Sequence, residues 1–203
     1  MSATITLGLT DFVAIATKNA GPKATAVANV KKRGPYDPAA DFYKPLREGI
    51  IDLHQRGDKK DELGKILKGL TDPKKIANYP DLIDGYRSWW GRKDLEWFSP
   101  PRGVFSHRNV DVTVNPELGL RIKGVPHVIK LHLTKTEKLS KPRLDVVTFL
   151  MEQELRALMP EARMCVLDVR NGKHVEGSSP PKPAMGAILR AELAWVAEIW
   201  DSL

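Results

Sequence analysis

Residues Phe105–Val175 read FSHRNVDVTVNPELGLRIKGVPHVIKLHLTKTEKLSKPRLDVVTFLMEQELRALMPEARMCVLDVRNGKHV, and this stretch decides the fold. Within it Val110, Val112 and Val114 alternate with Asp111 and Thr113, the period of two that turns one face of a strand into a core. Asn115-Pro116-Glu117 has turn chemistry. Leu118, Leu120 and Ile122 form a second alternating run, Lys123-Gly124 a second tight turn, and Val128-Ile129-Lys130-Leu131-His132-Leu133 a third run. Strands joined by such short turns are antiparallel neighbours, so a three-stranded antiparallel meander is expected.

Beyond the meander, Thr134 to Lys141 is a basic loop, and Ser140 with Pro142 opens a helix whose apolar side carries Leu144, Val147, Phe149, Leu150, Leu155 and Leu158. Met164 to Val169 reads as a strand. Asn171-Gly172 is a hairpin signal, because both central residues of a type I′ turn need positive φ. Residues 178–183, SSPPKP, read as a linker before a closing helix lined by Ile188, Leu189, Leu193, Val196, Ile199 and Trp200.

Upstream the pattern is helical. Pieces from Thr10 or Asp11 to Lys18 and from Lys23 to Lys32 are separated by Gly21-Pro22. A helix capped by Asp37, or starting later near Pro45, carries Leu46, Ile50, Ile51 and Leu53. A short amphipathic helix follows at Leu63, Ile66, Leu67 and Leu70. Asp72-Pro73 then begins a helix reaching about Lys93, with Pro80 dividing it. Trp89, Trp90, Trp97 and Phe98 are the densest aromatic cluster, expected to pack helix on sheet, with base stacking as the alternative. The fold class is therefore mixed α/β (α+β). A helical N-terminal portion, residues 1–98, precedes an α/β sheet portion, residues 99–203, in one compact domain.

The 203 residues suffice for one hydrophobic core. No apolar run approaches the ~20 residues that cross a bilayer, and the opening MSATITLGLTDF lacks a secretory signal's basic region and long apolar stretch, so a cytoplasmic location without membrane association is expected. Cys165 is the single cysteine, in the apolar run Met164-Cys165-Val166-Leu167. It forms no intramolecular disulfide and reads as a buried strand residue. His54, His107, His127, His132 and His174 have no metal-binding spacing, and neither GxSxG nor a dinucleotide fingerprint occurs. His127 and His132 fall on opposite faces of a strand.

The order of helix, meander, helix and strand over about Asp41 to Val175 resembles the αβββαβ core of the PD-(D/E)XK (restriction-endonuclease-like) superfamily. Active members hold Mg²⁺ with an acid near the start of the second strand and an acid-X-Lys triplet on the third. The ion activates water and shields phosphate charge. The resemblance puts Glu117 at the first acid, Lys130 at the lysine and Glu48 at a helix carboxylate found in some members. The residue two before Lys130 is Val128, which has no atom to ligate a metal. Shifting the register puts Lys130 at the acid position and His132 at the lysine position. A catalytically degenerate member that binds rather than cuts is therefore expected, without a cofactor. Mg²⁺ would enter only if Glu48, Glu117 and Lys130 formed an active nuclease.

The charge distribution supplies a binding surface. The chain carries a formal net charge of +7, which favours polyanions through counterion release. Arg121, Lys123, Lys135, Lys138, Lys141 and Arg143 cluster in sequence around Lys130, with Glu137 the only acid among them. They are the candidate nucleic-acid contacts, helped by backbone donors at the helix start near Pro142. Lys31-Lys32-Arg33 is a second basic cluster. The expected partner is nucleic acid. The alternative is a protein partner, the chain being an interaction or scaffold component of a larger assembly such as a defence system.

Overall fold

The protein's computed structural model describes residues 3–34, 36–177 and 183–203. The linker expected at residues 178–183 lies, up to residue 182, outside the described residues. In chain order the elements are β1 (Ile5–Gly8), α1 (Leu9–Ala16), α2 (Ala20–Arg33), α3 (Lys44–Gln55), a 3₁₀ helix (Lys60–Leu67), α4 (Pro73–Trp90), β2 (Leu95–Phe98) and β3 (Gly103–His107). They continue with β4 (Val110–Val114), β5 (Leu118–Ile122), β6 (Val125–His132), α5 (Lys141–Leu155), β7 (Arg163–Asp168), β8 (Lys173–Glu176) and α6 (Pro183–Trp200). No helix among the described residues is long and apolar enough to cross a membrane.

The strands form two mixed sheets, one of three strands in the order β1-β4-β3 and one of five in the order β2-β5-β6-β7-β8. β5 and β6 are the antiparallel hairpin the sequence implies, with Leu118 opposite Ile129 and Ile122 opposite Val125. The three-stranded meander itself is corrected. β4 lies in the other sheet, antiparallel to β3 and parallel to β1, and β2 takes the place beside β5. The alternation of Val110, Val112 and Val114 fixes which face of β4 is buried but says nothing about its neighbour. Those three valines, all fully buried, pack with Phe12, Ile15 and Phe105 rather than with the inner face of β5.

From β6 the chain crosses through α5 to β7, which pairs parallel to β6, the connection a helix-length segment makes. β6 feeds two cores by its period of two. Ile129 and Leu131 face the layer of α3 and α4, while Val128 faces α5, α1 and the small sheet. α4 starts where Asp72-Pro73 implies, the Asp72 carboxylate accepting from Lys74 N–H at 2.8 Å. It runs unbroken past Pro80 to Trp90. α3 takes the later of its two starts, with Pro45 in its first turn. α4 lies close on the turn after β7 because Gly85 has no side chain; a Cβ there would overlap the carbonyl oxygens of Val169 and Arg170. The β7–β8 hairpin is present with Gly172 at φ +58°. Its loop has four residues between Asp168 and Lys173, and Asn171 keeps negative φ, so it is not the two-residue type I′ turn.

Candidate nucleic-acid interface

β5 and its preceding turn set Glu117 across from Lys130. The Glu117 N–H donates to the Ile129 carbonyl at 3.1 Å, which carries the carboxylate over the strand to the face shared by Val128 and Lys130. The Lys130 ammonium donates to Glu117 Oε1 at 2.6 Å and to the Asn115 carbonyl at 3.2 Å. Glu117 Oε2 accepts the Leu131 N–H at 2.8 Å. Both side chains are only 10% exposed, so both carboxylate oxygens are engaged inside the protein. Arg47, on α3, is held by Asp41 at 2.8 Å. Burial lowers the affinity of its guanidinium for the proton, but Asp41 and, more weakly, Glu117 outweigh this and raise it.

Glu117 and Lys130 are thus brought together; Glu48 is not joined to them. It is half exposed on α3 and bonds Lys44, one turn back, at 2.5 Å. Val128 is fully buried among apolar side chains. Among the described residues no three His, Cys, Asp or Glu side chains form a group able to hold a metal ion.

The carboxyl ends of the parallel strands β6 and β7 carry a second set of polar groups. His132 sits opposite Asp168, and burial pushes the proton affinity of its imidazole down, partly offset by Asp168. The chain then enters the basic loop. Glu137 binds Lys18 of the α1–α2 turn at 3.0 Å and Arg143 of α5 at 2.6 Å. Burial pushes the Glu137 carboxyl up, but these two cations win and hold it below the usual carboxylate range. Lys141 is paired with Asp145 at 3.0 Å. Lys135 and Lys138 are exposed, and neither has an acidic partner among the described residues. The first turn of α5, after Ser140, points its free N–H groups to this same end of the sheet.

The six candidate cations therefore do not form one patch. Lys135, Lys138, Lys141 and Arg143 gather beyond the carboxyl end of β6. Arg121 and Lys123 flank the turn before that strand, and eight strand residues at about 3.3 Å each separate the groups by roughly 25 Å. Arg121 rests over the Phe98 ring, 5.9 Å from its centroid. No protein-family model matches the chain, and no curated protein matches it. The geometry alone carries the functional reading.

Tertiary contacts of these residues were not legible from spacing. Lys18 and Glu137 are 119 residues apart, and no local signal joins them. Trp89 and Trp90 are buried on α4, as helix-on-sheet packing requires, which removes both from base stacking. Trp97 and Phe98 belong to β2 and are half buried. Cys165 is buried, and burial raises its thiol well above the ordinary value.

Proposed function

We propose that this protein binds nucleic acid without cutting it, on a scaffold similar to the restriction-endonuclease-like core, using the end of the sheet where β6 and β7 finish. The observation that carries the reading is the pair of exposed cations Lys135 and Lys138, without an acidic partner among the described residues, beside the first turn of α5. Ligands of open α/β sheets sit outside the carboxyl ends of parallel strands, and a helix N-terminus adds backbone donors for phosphate. The order β2-β5-β6, then α5, then β7 supports the resemblance. So does Glu117 at the entry to β5 facing Lys130 on β6. Against cleavage stand the internal use of both Glu117 oxygens and the apolar Val128.

Such contacts position a phosphate backbone rather than read sequence. A Lys135→Ala/Lys138→Ala variant is expected to bind a mixed-sequence oligonucleotide about tenfold more weakly. The slope of log affinity against log salt should be shallower by ~2, about one per lost phosphate contact. Arg121→Ala/Lys123→Ala, at the far end of β6, serves as the comparison and should change the slope less. Equal slopes for wild type and the Lys135/Lys138 variant, measured by fluorescence anisotropy, would remove this surface from the account.

A further inference from the structure

Glu137 is the only acid between Arg121 and Arg143, and it is clamped by cations from outside its own loop. Its Oε1 accepts from the Lys18 ammonium at 3.0 Å and its Oε2 from the Arg143 guanidinium at 2.6 Å. Each carboxylate oxygen thus serves one cation. Lys18 lies in the α1–α2 turn and Arg143 in the first turn of α5, so the carboxylate pins the basic loop to both places. Burial opposes its charge, yet the two cations hold the carboxyl below the usual range. Arg143 is only 13% exposed and is taken by Glu137, so it offers little to an outside anion while the clamp is closed. Lys18 and Glu137, 30% and 31% exposed, leave the clamp open to solvent on one side.

A backbone phosphate presents what this carboxylate presents: one negative charge on two free oxygens, which ammonium and guanidinium groups bind equally well. Glu137 is two residues from Lys135 and one from Lys138, within about 7 Å along the chain. A strand held by those lysines therefore brings a phosphate beside the clamp. Ion pairs at this exposure are weak and screened by salt, so an incoming anion can replace one partner. Resting on the nucleic-acid reading above, we propose that Lys18 and Arg143 form a phosphate subsite, which Glu137 fills in the free protein and a backbone phosphate takes over when nucleic acid binds. The acid is then a built-in competitor. It excludes a lone phosphate more than a strand, because a strand already tethered at Lys135 and Lys138 delivers its next phosphate at high local concentration.

The test uses the full chain and a mixed-sequence oligonucleotide at fixed salt, with thermal melts confirming that each variant folds. Glu137→Gln is expected to bind about tenfold more tightly than wild type, the scale of two partly exposed ion pairs that no longer have to be broken. Adding Lys18→Met should remove most of that gain. Glu161→Gln controls for charge alone: this exposed acid before β7 has no ion pair among the described residues, and its loss should raise affinity less than about twofold. In wild type, the NMR signal of the Glu137 carboxylate carbon should shift on saturation with oligonucleotide, a readout that depends on no variant. Unchanged affinity in Glu137→Gln, an equal gain in Glu161→Gln, or a Glu137 signal that stays in place while wild type binds overturns the subsite and leaves the basic loop standing. Failure of wild type to bind overturns the basic-loop reading and the subsite with it.

Discussion

Glu117→Ala is expected to destabilise the protein by about 3–5 kcal/mol, the cost of leaving one member of a buried ion pair without its partner. The Lys130 ammonium would keep only the Asn115 carbonyl, and the Leu131 N–H would lose its acceptor. For a domain of this size the loss corresponds to a fall of roughly 10 °C in melting temperature, against a total stability of order 5–15 kcal/mol. Glu117→Met/Lys130→Met should recover most of it, because no charge is then stranded in the apolar layer. A double-mutant cycle by urea denaturation measures the coupling. A cost below ~1 kcal/mol for Glu117→Ala would mean that Glu117 is not committed to the fold. It would then be free to act on a ligand, as an active nuclease requires.

Acid is expected to weaken the fold well above the range where its carboxylates titrate. Burial pushes the His54 imidazole down to about 4, against 6.5 in the unfolded chain. Its Nε2 lies 2.6 Å from the Tyr86 hydroxyl, and its ring stacks on Trp90. Below pH 6.5 the unfolded chain takes up a proton that the folded site refuses. Stability is therefore complete above about pH 6.5 and declines as the pH falls toward 4. For His54, which is 4% exposed, the decline is roughly 2–3 kcal/mol between pH 7 and pH 4.5, at 1.36 kcal/mol per pKa unit.

His174 is likewise pushed down to about 4, by burial first and by His127 second, and acts in the same direction. Asp41 and Glu137 are held below the usual carboxylate range, so their ion pairs fail in a separate, lower window. Urea midpoints from pH 7 to 4.5 read the histidine effect, and His54→Phe should flatten the curve although it costs the Tyr86 contact. A midpoint constant over that range would contradict a neutral buried His54.

The parts of the fold legible in the sequence are those with local causes. Asp72-Pro73 starts α4, the apolar spacing from Leu144 to Leu155 makes α5, and Lys123-Gly124 turns β5 into β6 through residues with φ of +52° and +80°. Strand pairing has no local cause. β1 (four residues) and β2 (four residues) are too short to show a period. Missing them assigned β4 to the wrong sheet.

The candidate site follows the same division. Glu117 and Lys130 are readable as a turn acid and a strand lysine, but their ion pair depends on the β5–β6 register. The basic run looked continuous because sequence distance hides the length of β6.

Binding of wild-type protein to a mixed-sequence oligonucleotide over a series of salt concentrations, with Mg²⁺ present and the nucleic acid analysed afterwards for strand breaks, tests the central claim most directly. The account predicts binding that weakens steeply with salt, at a log–log slope of about −2 or steeper, and oligonucleotide recovered intact. No binding at low ionic strength, or cleavage abolished by Glu117→Gln, would contradict it.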